Sequence, residues 1–553
     1  MLRVILVPFL LLLAIPTSLQ DDSEIPYTYP KIGTHEQTDL GLDCYVIIRK
    51  EYRQEDTHPP DHPDMTVENF RKDLRKVAIP PQRHSVYTVG SRHLPGTGRG
   101  TWALLVELLP GDKSFGAFAK VVYKYGNIVQ QPKCFGTAPN HIQGRPIPSR
   151  RTQQALTKRD QLAAEIVSDD NYENDGSKIK SRSKSIDLDL YLNSTYTKAP
   201  PVGGSLKPRD TDSDEAVVAL QSSPQELTLI AQPKGVSLSE MKKTSYTYPD
   251  SGKGVPIYVL DSGCDLNSHY FSHIDASSVD WLFAGPFPGD EKSDEDSPSN
   301  PQAYGHFPDG HLDFAGYHGT LVAASVVGNK KGTAPSATLV VGKIQNGRNA
   351  VPSLSDIDLL LKVYDHMYED YQKRKDSWPG FVVVYSNNFR RLGPGIPDIY
   401  KEILEAFDTP EIKGYFVVPA GNGRPDEPIT KVPTVLKAES NAQSPLRNMV
   451  VVGGIDSTTG LNDFQTADYV KLYAPATHLL YTTPKAKYLS SGTSFCTPLV
   501  AGLLATLLGR GVENPIKQLE EWSYQRNPEG PKVVWNGITK EMWPNTEPEG
   551  SET

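Results

Sequence analysis

Cysteine is scarce in this chain: 553 residues carry four, at positions 44, 134, 264 and 496. A dense disulfide framework is therefore excluded, and a chain of this length must rest on hydrophobic cores. Basic residues are not in excess. The formal net charge is −9, which leaves no electrostatic case for nucleic-acid binding. Long apolar runs are missing beyond the first segment, so nothing later approaches the ~20 apolar residues of a membrane-spanning helix. No internal repeat is visible.

The first segment is the exception. Arg3 supplies a small positive patch, and Val4–Ile15 is an apolar run too short to span a bilayer. Residues 1–20 read as a secretory signal peptide, the alternative being an N-terminal membrane anchor. The expectation is a secreted, extracellular, soluble protein with no membrane partner. Such a chain can form disulfides. Cys44 and Cys134 are a compatible pair within one module, while Cys264 and Cys496 either pair or pack as buried thiols, the latter being favoured. Asn193-Ser194-Thr195 is a glycosylation sequon.

The length predicts two or more domains. Residues 21–145 read as a small α+β module: strands at Cys44–Lys50, Ser85–Gly90 and Thr101–Leu109, a helix at Val67–Val77, and a mixed apolar run at Phe115–Tyr125. Residues 146–222 are dense in charge and poor in aromatics, as an exposed linker would be. Lys158-Arg159 within it resembles a dibasic processing site. From 223 to 525 the pattern is α/β. Val- and Ile-rich runs at Ile257–Leu260, Thr338–Ile344, Phe381–Tyr385, Tyr415–Val418 and Met449–Val452 read as strands buried on both faces. Helical patterns at Leu321–Val327, Leu354–Tyr371 and Asp398–Phe407 fall between them. The fold class is α/β, a doubly wound, mostly parallel sheet with helices on both faces and its site at the strand carboxyl ends. Residues 526–553 read as a docked or frayed tail.

The chemistry centres on Ser491–Gly502, SGTSFCTPLVAG. Ser494 heads an apolar helical run, where backbone N–H groups and the helix dipole favour an attacking alkoxide and a forming oxyanion. It needs a base. His318, in Gly316-Tyr317-His318-Gly319-Thr320, precedes an apolar helix, although a lone histidine among thirteen is usually a surface or core residue. The imidazole needs an acceptor to set its tautomer. Asp261 ends the strand Ile257–Leu260 and opens the turn Ser262-Gly263, which by itself reads as an ordinary turn. The oxyanion needs donors. Asn422, in Pro419-Ala420-Gly421-Asn422-Gly423, follows a strand and offers a side-chain amide beside the Ser494 N–H. Cys496 is set aside as nucleophile because Ser494 holds the position at the helix start.

Each motif alone is weak; the order Asp261, His318, Asn422, Ser494 is not. It is the subtilisin order, distinct from those of chymotrypsin and of α/β-hydrolases. With VPIYVLDSGCDLNSH, GYHGTLVAA, KGTAPSATLVVGKI, VVPAGNG, VVVGGID and SGTSFCTPLVAG in sequence, the chain resembles a secreted subtilisin-like serine protease, nearest to fungal proteinase K-like members. The resemblance spans about residues 245–510. It implies a serine endopeptidase made as a zymogen, with Asp261, His318 and Ser494 as the triad and Asn422 as oxyanion donor. Protein or peptide substrates would add as a strand near Asn349–Pro352 and Val384–Asn388, against a wall formed by Ser386, Asn387 and Asn388. Residues 21–145 would be a propeptide that inhibits its own protease in cis. The maturation cut would fall between Lys158-Arg159 and Lys242-Lys243. No cofactor and no metal ligand is assigned, and no structural calcium is located. The enzyme is expected to be a monomer. His269 falls where the family keeps a structural histidine, so it reads as packing although His273 lies four residues on.

The chain also departs from the family pattern. Tyr317 and Ala324 replace glycines, and the usual Ser-Leu-Gly-Gly wall reads Ser386-Asn387-Asn388-Phe389. An acidic stretch, 285–302, lengthens the segment between Asp261 and His318 and reads as a solvated surface loop. These departures motivate a second reading, a catalytically inactive secreted binding protein. An esterase fails on motif order and on the missing Gly-x-Ser-x-Gly elbow.

Overall fold

The computed structural model describes residues 42–136 and 217–544, apart from 54–57, 60, 79–85, 92, 94–100, 109–111, 276–278, 283–317, 345–353, 389–394, 410, 442–444 and 483–486. The expected signal peptide, Asn193, Lys158-Arg159, Tyr317, Phe389, the acidic stretch and the expected substrate edge at 349–352 lie outside the described residues.

The N-terminal module contains β1 (Leu42–Ile48), α1 (Val67–Val77), β2 (Val86–Gly90), β3 (Thr101–Leu108), α2 (Asp112–Lys124) and β4 (Val129–Gly136). Its strands form an antiparallel sheet in the order β2-β3-β1-β4. Thr66 caps α1 by accepting the Asn69 N–H at 3.1 Å. Phe70 and Leu74, four apart on one face of α1, pack with Phe118 and Val122 of α2 on Val46 and Leu104 of the sheet. Strand β4 was not expected, because Gln130-Gln131-Pro132-Lys133 lacks alternating apolar residues. It lies at the sheet edge, where Pro132 removes no needed ladder bond. Cys44 is disulfide-bonded, and Cys134 is its register partner across the β1–β4 pair.

The larger body begins with β5 (Val218–Leu220), α3 (Gln225–Ala231), α4 (Leu238–Met241) and β6 (Ser245–Thr247). Then come β7 (Pro256–Asp261), β8 (Asp280–Leu282), α5 (His318–Val327), β9 (Thr338–Lys343), α6 (Leu354–Arg374), β10 (Phe381–Val384) and α7 (Gly395–Ala406). It continues through β11 (Gly414–Pro419), β12 (Met449–Ile455), β13 (Leu472–Pro475), β14 (Leu479–Thr482), β15 (Lys487–Ser490), α8 (Thr493–Gly509) and α9 (Pro515–Trp522). It closes with β16 (Tyr524–Gln525) and β17 (Lys532–Val533). The central nine-stranded sheet runs β16-β17-β13-β12-β11-β10-β7-β9-β8. All its pairs are parallel except β16–β17.

Alternation along the strands divides the core in two. Ile257 and Val259 of β7 pack with Val322, Val326, Leu499 and Leu503 from α5 and α8. Tyr258 and Leu260 face the other way, onto Leu361, Tyr364, Tyr400 and Ile403 from α6 and α7. The N-terminal module docks on this second face. Trp102 of β3 is fully buried there, with the Arg53 guanidinium 3.5 Å above its ring. Arg53 donates to Glu402 of α7 at 3.1 Å, and Lys50 lies 3.6 Å from the same carboxylate. The Ser91 hydroxyl donates to Asp365 of α6, and His93 pairs with Glu369 at 3.0 Å.

One expected boundary moves. Strand β5 lies before 223 yet pairs with β6, so the body starts before the expected linker ends. Of the two readings of the tail, docked or frayed, residues 526–544 fit the docked one. Val533 extends the central sheet beside Tyr473, Ile538 is fully buried, and Trp543 stacks on Tyr246 at 4.2 Å. Among the described residues no helix is long and apolar enough to cross a membrane.

Candidate active site

The carboxyl ends of β7, β10 and β11 lie side by side, and the amino ends of α5 and α8 face them. Asp261 is the last residue of β7 and is fully buried. Its Oδ1 accepts the Ser262 N–H at 2.7 Å, which orients the carboxylate. Both carboxylate oxygens lie 3.0 Å from Nδ1 of His318, the first residue of α5. An acceptor on that side assigns the ring proton to Nδ1 and leaves Nε2 as a proton acceptor. The Gly319 N–H donates to the Ser262 hydroxyl at 3.1 Å, tying α5 to the end of β7. A Cβ at position 319 would lie 2.3 Å from the Gly263 carbonyl oxygen, so only glycine permits this approach. Ala324 is buried in α5 with its methyl group accommodated, so that departure from the family pattern leaves the helix intact.

Helix α8 brings Ser494 to the same place. Gly492 precedes it at φ 151°, a conformation that favours glycine, and its N–H donates to the Ala476 carbonyl at 2.8 Å. Thr493 is the first helical residue, which puts the Ser494 N–H in the first turn, where no intrahelical acceptor exists. The Phe495 ring lies 5.3 Å from the His318 ring, so the serine-bearing turn and the imidazole are neighbours. Pro498 has no N–H for the carbonyl of Ser494, four residues back. The Ser386 hydroxyl fills that role at 3.1 Å, which fastens the end of β10 to the turn.

Asn422 lies just past β11. Its Oδ1 accepts both the Thr493 N–H, at 2.7 Å, and the Thr493 hydroxyl, at 2.9 Å. The Thr493 hydroxyl accepts the Gly421 N–H at 3.2 Å in return. Only the amide oxygen can meet two donors, so the side-chain NH₂ is left as the free donor. Thr493 is the functional residue that the sequence reading missed. Its position beside Ser494 was visible, but its bond across 71 residues to Asn422 was not.

The expected substrate wall has other duties. Asn388 donates to the Pro419 carbonyl at 3.1 Å and accepts the Thr434 hydroxyl at 2.6 Å, so it braces β10 against β11. Ser386 is committed to α8. Asn387 is half-buried, and its Nδ2 is a buried donor with no acceptor. His269 is exposed, with its ring centroid 4.0 Å from that of Tyr270, against which it packs. The His273 Nε2 donates to the Pro335 carbonyl.

Cys264 and Cys496 are free, buried thiols. Burial pushes both far above the ordinary thiol range, so neither forms a thiolate at neutral pH. Cys496 instead donates weakly to the Gly453 and Thr493 carbonyls. Behind the site lies a buried ion pair. Lys331 meets Glu226 of α3, donates to the Leu480 carbonyl at 3.0 Å, and sits 4.1 Å over the Tyr481 ring. Tyr481 bonds Ser325 at 2.7 Å and packs 5.1 Å from Phe495, so this network backs the ring beside His318.

A mostly parallel sheet wound on both faces, with polar groups gathered at its carboxyl edge, defines a doubly wound α/β protein with its site at the strand ends. Residues 252–516 match the model of the subtilase family, Peptidase_S8. That match and the serine proteases among the relatives support a serine-type endopeptidase. Over 284 residues it is 27% identical to the major intracellular serine protease of Bacillus subtilis (strain 168), covering 50% of this chain and 72% of that one. Over 280 residues it is 29% identical to proteinase T of Parengyodontium album, covering 50% and 79%. A crystal structure of a cold adapted subtilisin-like serine proteinase matches with a TM-score of 0.39 at 17% identity, over 58% of this chain and 100% of that chain.

Proposed function

We propose that the chain is a secreted zymogen of a peptide-bond hydrolase in which Asp261, His318 and Ser494 form the triad and Asn422 the oxyanion donor. The observation that carries this is the His318–Asp261 pair at 3.0 Å, set beside the turn that bears Ser494. Ser494 attacks the substrate carbonyl as His318 Nε2 takes its proton. Asp261 stabilises the imidazolium that forms. The Asn422 NH₂ and the Ser494 N–H bind the oxyanion. The protonated imidazole then donates to the leaving amine, and water repeats the cycle on the acyl-enzyme. The substrate lies extended along the chain that leaves β10.

Residues 42–136 are proposed as the inhibitory propeptide. Their docking on α6 and α7 through Trp102, Arg53 and His93 supports that reading. The maturation cut is proposed within 137–216. Cutting at Lys242-Lys243 would release α3, which supplies the buried Glu226 partner of Lys331, and β5, which pairs with β6. Secretion, a monomeric state and a glycan on Asn193 belong to the same proposal.

The test is labelling of the purified mature protein with a fluorophosphonate, together with casein cleavage. Both should vanish in Ser494→Ala. Labelling that persists in the variant removes Ser494 from the mechanism. No turnover by wild type after verified removal of residues 42–136 favours the inactive binding protein instead. N-terminal sequencing of both forms locates the cut and shows whether it is autocatalytic.

A further inference from the structure

Helices α3 and α4, the turn at 457–460 and the β16–β17 hairpin enclose a cleft of about 860 Å³. None of Asp261, His318, Asn422 and Ser494 lines it. Its volume is that of a site for a small molecule or a few peptide residues, ~300–1,000 Å³.

The chemistry of its lining is unbalanced. Arg526 reaches in with its guanidinium held by four backbone carbonyls, those of Tyr524, Val533, Leu229 and Val534, at 3.3, 3.3, 2.9 and 3.1 Å. It also lies 3.8 Å over the Tyr524 ring. Lys234 and Lys532 stand exposed along the same lining. Among the described residues none of these three cations is paired with a carboxylate. The one acidic side chain in the lining, Glu521, lies 3.8 Å from Lys517 of α9 and is shared with it. Burial pushes the Arg526 guanidinium down to about 10, still charged at neutral pH.

The walls beside these cations are flat and apolar, with the Trp522 and Trp535 ring centroids 6.2 Å apart and their planes at 60°. We propose that this cleft is a binding site, separate from the candidate catalytic residues, for a carboxylate carried on a planar apolar body. The source is either an acidic peptide segment with an aromatic residue or a free aryl carboxylic acid. Lys234 and Lys532 bind the carboxylate, and the tryptophan walls take the flat body.

The test uses the full chain carrying Ser494→Ala, so that no peptide is cut and the outcome does not depend on the catalytic reading. Fluorescence polarisation follows dye-labelled Glu-Glu-Trp and Gln-Gln-Trp peptides, both amidated at the C-terminus, and indole-3-acetate is titrated as competitor. Lys234→Glu combined with Lys532→Glu changes only exposed residues, and an unchanged melting temperature verifies the fold. The labelled peptide is expected to bind, and to bind at least tenfold more weakly to the double variant. A Gln-Gln-Trp peptide is expected to bind at least tenfold more weakly to the unaltered surface. Displacement by indole-3-acetate at comparable concentration identifies a small acid as the source; failure to displace identifies a peptide. Equal binding of the two peptides, equal binding by the double variant, or no binding of either probe at millimolar concentration overturns the proposal.

Discussion

Thr493 does for Asn422 what Asp261 does for His318: it removes the choice of orientation. An asparagine amide can present oxygen or nitrogen, and two Thr493 donors at 2.7 and 2.9 Å select oxygen for the protein side. Thr493→Val keeps the shape and the backbone donor but loses the hydroxyl. It also leaves the Gly421 N–H without its acceptor. The expected result is a fall in kcat of about 10- to 100-fold with KM nearly unchanged, since the loss falls on the transition state. Steady-state kinetics on a chromogenic peptide measures it. A KM effect with kcat intact means that the hydroxyl serves binding instead. The places of Asp261, His318, Asn422 and Ser494 at element ends were legible, because glycine and apolar runs mark those boundaries. Thr493 was not, because its role is a contact between distant segments. Asn388 shows the reverse. It reads in the sequence as a substrate contact, and the fold adds a bracing role through Pro419 and Thr434.

Among elements, α3 carries more than its length suggests. It is bound to the core through Glu226 and Lys331, both about 2% exposed. Lys331→Met removes one charge and strands the other, and breaking a buried pair costs about 3–5 kcal/mol. Adding Glu226→Leu removes the stranded carboxylate and should recover most of that loss in urea unfolding. If the double variant is as unstable as the single one, the pair does not act as a unit. Asp73 joins α1 to α2 in the N-terminal module. Its carboxylate bonds Lys124 at 2.7 Å, Lys76 at 2.6 Å and Tyr125 at 2.9 Å. These bonds, that of Lys124 first, hold Asp73 well below the usual carboxylate range. A lowered folded value gives stability that is present above the unfolded value, about 4, and is lost as pH falls toward the folded one. The stability that Asp73 adds to the module should therefore be lost progressively as pH falls below about 4. Asp73→Asn should be less stable at pH 7 yet lose less between pH 5 and pH 2, as followed by circular dichroism. An unchanged acid limb assigns the pH dependence to other carboxylates.

For the whole molecule, the N-terminal module is held, among the described residues, through Trp102, Arg53, Lys50, Ser91 and His93. Arg53 is 2% exposed and Glu402 11%, and Trp102 is covered by that pair. Burial raises the Glu402 carboxyl, and Arg53 opposes the shift. Arg53→Met leaves Glu402 with only the exposed Lys50. In the uncleaved Ser494→Ala chain this should uncouple the module, which then melts in a separate, earlier calorimetric transition. A single unchanged transition means that the apolar contact at Trp102 suffices.

The strands β7, β9, β10, β11 and β12 and the helices between them were readable because burial on both faces leaves continuous Val- and Ile-rich runs. Helix α1 was readable from its period. The sheet edges were not. Strand β4 and the pair β16–β17 have no pattern of their own and exist because β1 and β13 present unpaired backbone groups beside them. By itself, then, the sequence determined the doubly wound class, the order Asp261, His318, Asn422, Ser494, and the strand or helix end on which each stands. Those depend on local propensity and on burial periodicity, which any segment carries with it. Only the tertiary structure decided that Thr493 orients Asn422, that Ser386 replaces the N–H missing at Pro498, and that β5 and β17 belong to the larger body. It also gathered Arg526, Lys234 and Lys532 around one cleft. Those depend on groups brought together across the fold, and no single segment encodes its partner.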